Sequence, residues 1–229
     1  MCGRMTITLT IEQAAAALPG FRLTAWPAPR YNVAPTQIVP VVRNDQPADV
    51  HWLRWDLRPI GQGAPLINAR AETLAEKSTF RNAYLRQRCL VLATGFYEWP
   101  QLGGRRDGGP YYFQLRDEPL IWLAGLWDHV PGPDGREHLA CAIVTTSAND
   151  LLRPLHDRMP VMVPPAHRNR WLDPREITPA ALADVLVPYP AVAMTARRVS
   201  NRVNSVRNDD AACLAEPRPD PQAALPGFE

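Results

Sequence analysis

A cysteine directly behind the initiator methionine can put two nucleophiles on adjacent carbons. Cys2 becomes the first residue if Met1 is removed, and a side chain as small as that of Cys normally permits the removal. The mature terminus would then carry an α-amine beside a thiol, a 1,2-aminothiol that can be made only at a chain end. Its characteristic partner is an aldehyde. An α-amine titrates near 7.7–8.0 and a lysine near 10.4, so the terminal amine has the larger neutral fraction at neutral pH. It can form a Schiff base, and the thiol can then attack the imine carbon to close a five-membered thiazolidine. Taken alone, Cys2 reads equally as a chance residue in a frayed terminus.

Four further blocks set polar or charged groups in apolar, turn-rich sequence: Tyr31-Asn32-Val33-Ala34-Pro35-Thr36, Asn68-Ala69-Arg70-Ala71-Glu72, Gly95-Phe96-Tyr97-Glu98-Trp99 and His156-Asp157-Arg158-Met159-Pro160. Each has a plain structural account. Glu98 between two aromatics would face solvent on an alternating strand. His156-Asp157 would close a helix before Pro160, with the histidine at its C-terminus. Asn68 would be a turn residue, and Tyr31, Asn32 and Pro35 a buried turn. Arg70 and Glu72 would pair as an exposed salt bridge of little energetic weight.

Taken in order, together with Met1-Cys2-Gly3-Arg4, Arg88-Cys89-Leu90, Ala124-Gly125-Leu126-Trp127 and Val206-Arg207-Asn208-Asp209, these blocks resemble the SRAP family. Its members, the SOS-response-associated peptidases, crosslink to abasic sites in single-stranded DNA. The resemblance implies that Cys2 is the crosslinking residue, that Asn68 orients the terminal amine, and that Glu98 and His156 handle protons. It points to Arg4, Arg70 and Arg158 as phosphate ligands around an extruded abasic nucleotide, and to Tyr31, Asn32 and Pro35 as pocket lining or a wedge beside a neighbouring base. No cofactor or metal is implied, and little sequence readout is expected. The chemistry is consistent with these roles. An abasic deoxyribose is mostly a closed hemiacetal, so an acid and a base must open it before an imine forms. One stretch departs from the family pattern: Arg54-Trp55-Asp56-Leu57-Arg58-Pro59 carries Asp56 where a glycine is usual, and the following loop lacks the family's aromatics.

The elements that must position these residues read as α+β. Short β-branched or aromatic runs at residues 38–42, 50–55, 89–93, 111–115, 121–126 and 139–145 predict an antiparallel-rich sheet or open barrel. Flanking helices are expected at 79–88, 149–155 and 178–186, the last with Thr178-Pro179 as its N-cap and N1 residue. A capping box at Thr10-Ile11-Glu12-Gln13 opens another, which Pro19-Gly20 should close. Residues 103–110 predict a mobile hairpin loop. One domain over residues 1–215 is expected, followed by a disordered proline-containing tail at 216–229.

Hydrophobic residues at 46% and seven tryptophans suit a globular enzyme or binding protein. The four cysteines lack the spacing of a zinc site or a disulfide framework. No run approaches the roughly 18–20 apolar residues of a membrane span, so a cytoplasmic monomer is expected, associated with the nucleoid when on DNA. The net charge of +2 comes from arginine almost throughout, with Lys77 the only lysine, and the guanidinium fork suits phosphate. The resulting expectation is an abasic-site sensor that caps the lesion as a Cys2 thiazolidine. Competing with it are an N-terminal-nucleophile amidohydrolase, a Cys2–His156 cysteine peptidase and a non-catalytic single-strand-binding module.

Overall fold

The computed structural model describes residues 2–102, 105–106, 109–132, 134–175 and 178–217. The expected tail therefore lies almost wholly outside the described residues, as does half of the expected loop at 103–110. The strands, in chain order, are β1 (Met5–Ile7), β2 (Arg22–Leu23), β3 (Arg30–Val33), β4 (Ile38–Arg43), β5 (Gln46–Trp55), β6 (Asn68–Arg70), β7 (Arg88–Ala93) and β8 (Gly95–Glu98). They continue with β9 (Gln101–Leu102), β10 (Arg105–Arg106), β11 (Tyr111–Leu115), β12 (Ile121–Pro131), β13 (Glu137–Ser147), β14 (Arg158–Pro160) and β15 (Met194–Arg198). Three α-helices accompany them: α1 (Ile11–Ala17), α2 (Ser78–Arg86) and α3 (Pro165–Leu172).

Five long strands form a closed ring. Antiparallel pairing runs β5–β4–β7–β12–β13, and a parallel pairing of Ala140–Cys141 with Arg54–Trp55 joins the last strand to the first. Closure removes the ring's open edges. Alternation explains the layers: on β7, Cys89, Val91 and Ala93 join one apolar cluster, while Leu90 and Leu92 join a second that includes Phe80 and Tyr84 of α2 and Trp171 of α3. Both faces of β7 are buried, and its sequence Arg-Cys-Leu-Val-Leu-Ala is accordingly almost uninterruptedly apolar. A second sheet, ordered β15–β11–β8–β1–β3, packs against this ring through Phe96 and Phe113, whose rings stack at 5.2 Å.

The capping box forms as expected: Thr10 Oγ1 accepts from Gln13 N, and Gln13 Oε1 accepts from Thr10 N. Other elements differ. Residues 149–155 form hydrogen-bonded turns instead of a helix: Asn149 caps the start, its side chain accepting from Leu151 N and Leu152 N, but Pro154 has no N–H with which to carry the ladder on. The segment expected as a helix at 178–186 is a short 3-10 turn, Pro179–Leu182, without a side-chain cap. Helix α3 was not anticipated; its apolar face is narrow, and only the proline at its start marks it. Buried Arg88 fastens it, donating from Nε to Trp171 O at 2.7 Å and from Nη2 to Asp173 O at 2.5 Å.

Candidate active site

Strand register, more than local sequence, assembles the chemistry. Antiparallel pairing of β1 with β8 sets Met5 against Phe96, and Tyr97 N donates to Arg4 O at 3.0 Å. Followed back towards its start, the chain therefore lays Cys2 alongside the end of β8, where Glu98 stands. From the other side, β6 pairs in parallel with β13, matching Asn68 to Ile143 and Arg70 to Thr145. Strand β14 pairs with the same end of β13, matching Arg158 to Ser147. Elements far apart in sequence thus converge on the N-terminus.

They surround a cavity of about 540 Å³ lined by Gly3, Arg4, Pro35, Arg70, Glu98, Trp99, His156 and Arg158 among others. A larger cavity of about 650 Å³, against Phe21, Leu90 and Trp122, contains none of the residues that could do this chemistry. The smaller one is the candidate site.

Cys2 lies beneath the cavity, fully buried, with Gly3 and Arg4 at the surface above it. Burial pushes its thiol pKa well up, the negative charge of Glu98 pushes it further, and the Arg4 backbone N–H opposes both. The resting sulfur is a thiol and needs a base. Glu98, itself buried, is the carboxylate beside it. Asn68 Nδ2 donates to Cys2 O at 2.9 Å, while its Oδ1 is buried without a hydrogen-bond partner among the described residues. An acceptor is thus held next to the start of the chain.

His156 sits on the far wall, mostly buried, with its pKa lowered chiefly by burial and the Asp157 charge opposing. Its Nδ1 is 2.9 Å from Arg158 N and 2.9 Å from Asp157 Oδ1. These contacts require opposite states of Nδ1. Accepting from the backbone N–H requires a lone pair and assigns the neutral ring's proton to Nε2; donating to Asp157 requires a proton on Nδ1, carried by the imidazolium or by the other neutral tautomer. With Arg158 N as the donor, the neutral ring carries its proton on Nε2.

A profile described as SOS response associated peptidase (SRAP) matches residues 1–206. The chain belongs to the SRAP family. Abasic site processing protein YoaM of Bacillus subtilis is 35% identical over 222 residues, covering 93% of this chain and 97% of that protein. Abasic site processing protein YedK of Escherichia coli is 29% identical, covering 93% and 99%. A crystal structure of a Bacteroides thetaiotaomicron protein superposes with a TM-score of 0.80 at 25% identity, covering 94% of this chain and 99% of that one. For a phage-related protein of Bordetella bronchiseptica the TM-score is 0.67 at 31% identity, covering 86% and 94%.

Within this SRAP fold the sequence-based site residues divide into three groups. Arg4, Pro35, Arg70, Glu98, His156 and Arg158 line the cavity, with Cys2 and Asn68 below it. Glu98 does not face solvent, because its strand lies between β1 and β11 and is buried along its whole length. Asn32 departs furthest from its expected role as a DNA contact: it is fully buried and its carboxamide is engaged. Its Oδ1 accepts from Arg4 Nη1 at 2.7 Å, and Nδ2 faces the carbonyls of Val203, Ser205 and Asn208 at 3.2, 2.9 and 2.6 Å. Tyr31 likewise does not line the cavity; its carbonyl accepts from Tyr97 OH. This stretch of β3 is a bracket that aims Arg4.

Further residues contribute as well, Asn204 among them without having been singled out from sequence. Asn204 Oδ1 accepts from Trp99 Nε1 at 2.8 Å, and the Arg4 guanidinium lies 5.7 Å from that indole's centroid, so the ring is held from two sides. Glu72 pairs with Arg158, not with Arg70 as the sequence suggested, because the chain leaves β6 into a 3-10 turn, Ala71–Thr73, that carries the carboxylate across Thr145. Asp56 fills the place of the family's glycine with its own function. Buried, it accepts from Arg58 N and Leu66 N through Oδ1 and pairs Oδ2 with Arg54 at 2.8 Å, clasping the base of the loop it begins. Among the described residues no three His, Cys, Asp or Glu side chains cluster as metal ligands would, and no helix is long and apolar enough to cross a membrane.

Proposed function

We propose that this chain recognises abasic sites in single-stranded DNA and caps them covalently through Cys2 once Met1 has been removed. The observation that carries this reading is the placement of a buried Cys2 between Asn68 and Glu98, under a cavity walled by Arg4, Arg70, Arg158 and His156. Three arginines suit a polyanion, and the cavity offers room for a sugar from which the base is missing. The names of the relatives, abasic site processing proteins, support the same substrate.

The chemistry follows from the positions. His156 donates a proton from Nε2 to the ring oxygen of the closed sugar as the C1′ hydroxyl loses its own, which opens the aldehyde. The Cys2 amine, held through Asn68 Oδ1, adds to C1′ and water leaves as the imine forms. Glu98 takes the thiol proton, the sulfur adds to the imine carbon, and the nitrogen is protonated, closing the thiazolidine. Only water is lost.

A glutamine-cleaving amidohydrolase would have little use for three arginines. A Cys2–His156 peptidase would use His156 as the base for the thiol, whereas the charged group that acts on the thiol most strongly is the Glu98 carboxylate. Incubation with an abasic oligonucleotide, glutamine and a peptide, followed by intact-mass measurement, separates the readings. The expected product is the chain without Met1 plus the oligonucleotide minus one water; glutamate or cleaved peptide without that adduct refutes the proposal.

A further inference from the structure

Arg158 is engaged before any strand arrives. Its Nη1 and Nη2 donate to the two carboxylate oxygens of Glu72 at 2.6 and 3.0 Å, and Nη2 also donates to Thr145 O at 2.6 Å. Its Nε is buried without a hydrogen-bond partner among the described residues. The outer fork of the guanidinium, which is the part that matches a phosphate in two parallel hydrogen bonds, is therefore filled by a carboxylate. Arg70, two residues before Glu72 and also on the cavity wall, has no such partner among the described residues. Two arginines that looked equivalent in the sequence are not equivalent in the fold.

The pair is asymmetric in exposure: the Arg158 side chain is 13% exposed and that of Glu72 is 52% exposed. The arginine is fixed in the wall, and the carboxylate is a movable lid over its fork. Hydrogen bonding from Arg158 lowers the Glu72 pKa, so the carboxylate is charged throughout the neutral range. An exposed partner in such a pair is displaced at small cost.

We propose that Glu72 is a competitor for the DNA backbone built into the binding face, neutralising Arg158 in the empty protein and giving way to a strand phosphate on binding. This rests on the reading under Proposed function. An intact strand gains little from Arg158, since it must displace an anion to reach it, and leaves readily. An abasic strand binds no better at first but is retained by the covalent bond. Selection then comes from chemistry at Cys2 and not from affinity, so a protein scanning single strands is not held by undamaged DNA.

The test uses the full chain and Glu72→Gln, which keeps the shape and removes the charge; half exposed and on the surface, the position tolerates the change. Affinity for an intact single-stranded oligonucleotide is measured by fluorescence anisotropy across a salt series, and crosslinking to the abasic version is followed in parallel. Glu72→Gln is expected to bind intact strands at least about threefold tighter at low salt. Its log–log salt slope is expected to steepen by up to about 0.7, since Arg158 now releases a counterion without freeing a carboxylate. In the Arg158→Ala background only the relief of charge repulsion between Glu72 and the strand remains, so the tightening and the slope change should both shrink. Equal or weaker binding by Glu72→Gln, an unchanged slope, or a gain of the same size without Arg158 overturns the inference. If the unaltered chain crosslinks abasic DNA while Glu72→Gln behaves like it, only the role of Glu72 falls; if the unaltered chain does not crosslink at all, the proposed function falls.

Discussion

The backbone N–H of Arg158 donates to Nδ1 of His156 at 2.9 Å, so one residue supplies both a cation on the cavity wall and the constraint that keeps the imidazole proton on Nε2. The histidine is thereby a donor towards the cavity, and the imidazolium, with its Nδ1 turned to Asp157, is its acidic form. This arrangement fixes a pH dependence. Crosslinking to a closed sugar needs the His156 imidazolium and a neutral amine together. With His156 below about 6.5 and the amine near 7.7–8.0, the product of the two fractions is flat between those values and falls on either side. His156→Ala, or an open-chain aldehyde given to the unaltered chain, should replace the plateau with a rise of about tenfold per pH unit up to the amine pKa. A plateau that persists in His156→Ala assigns the acid elsewhere.

The same lowered pKa has a stability consequence. Because the folded chain binds the His156 proton less readily than the unfolded chain, the neutral ring stabilises the fold above about pH 6.5. That contribution is lost as the pH falls from about 6.5 through the lower folded value. Urea unfolding of the unaltered chain and His156→Gln between pH 5 and 8 should show a smaller loss towards acid in the variant.

For Cys2 and Asn68 the expectations concern two separable functions of one residue. Cys2→Ala keeps the amine and should give an adduct only when borohydride traps the imine, whereas an N-terminal extension should abolish both products. Asn68→Ala should slow crosslinking about tenfold, the effect of one lost hydrogen bond of about 1.4 kcal/mol to the amine, without changing affinity for intact DNA. Glu98→Gln should slow the thiol step by about 10²–10⁴-fold and lengthen the life of the trappable imine. A stable, denaturation-resistant adduct from Cys2→Ala would remove the thiazolidine from the mechanism.

The sequence was most legible where function is local. The 1,2-aminothiol needs only Cys2 behind Met1, and the short β-branched and aromatic runs predicted ring strands to within a few residues, β4 and β7 among them, because a buried strand is written in consecutive apolar side chains. It was least legible where a role depends on a partner far away in the chain. Asn32 reads as a turn or contact residue until the segment 203–208 is folded onto it, and Glu72 finds Arg158 across 86 positions because β6 and β14 share β13. Pro154 turned a helical pattern capped by Asn149 into hydrogen-bonded turns, a missing donor that the apolar periodicity does not register.

Arg70 and Arg158 should respond differently to removal, although both line the cavity. Arg70→Ala deletes a guanidinium without an ion pair and should weaken binding to single strands while lowering the salt slope by about 0.7. Arg158→Ala removes a guanidinium whose fork Glu72 already fills, so affinity for intact strands should fall less than for Arg70→Ala, the freed Glu72 carboxylate adding only a salt-screened repulsion. Anisotropy titrations of both variants on one intact oligonucleotide across a salt series decide the matter. Identical losses would mean that Arg158 contributes to the backbone contact as fully as Arg70 and that Glu72 does not compete for it.

Asp56 supplies the last expectation, and it concerns stability more than chemistry. Its carboxylate satisfies two backbone N–H groups and one guanidinium at the entrance to the loop that follows β5, all in a buried setting. Asp56→Ala leaves those donors without an acceptor, and a lost charged hydrogen-bond network of this kind costs about 3 kcal/mol. Asp56→Asn keeps one acceptor oxygen and should recover roughly half of that. The loop's far end is tied to the ring through Ile67 O, which accepts from Ile143 N at 2.9 Å, so loosening its base should leave the cavity formed and crosslinking nearly unchanged at low temperature. Urea unfolding and single-turnover crosslinking on the same preparations test both halves. A crosslinking defect in Asp56→Ala that exceeds its loss of folded protein would place this loop in the DNA-binding face, in the position that aromatics occupy elsewhere in the family.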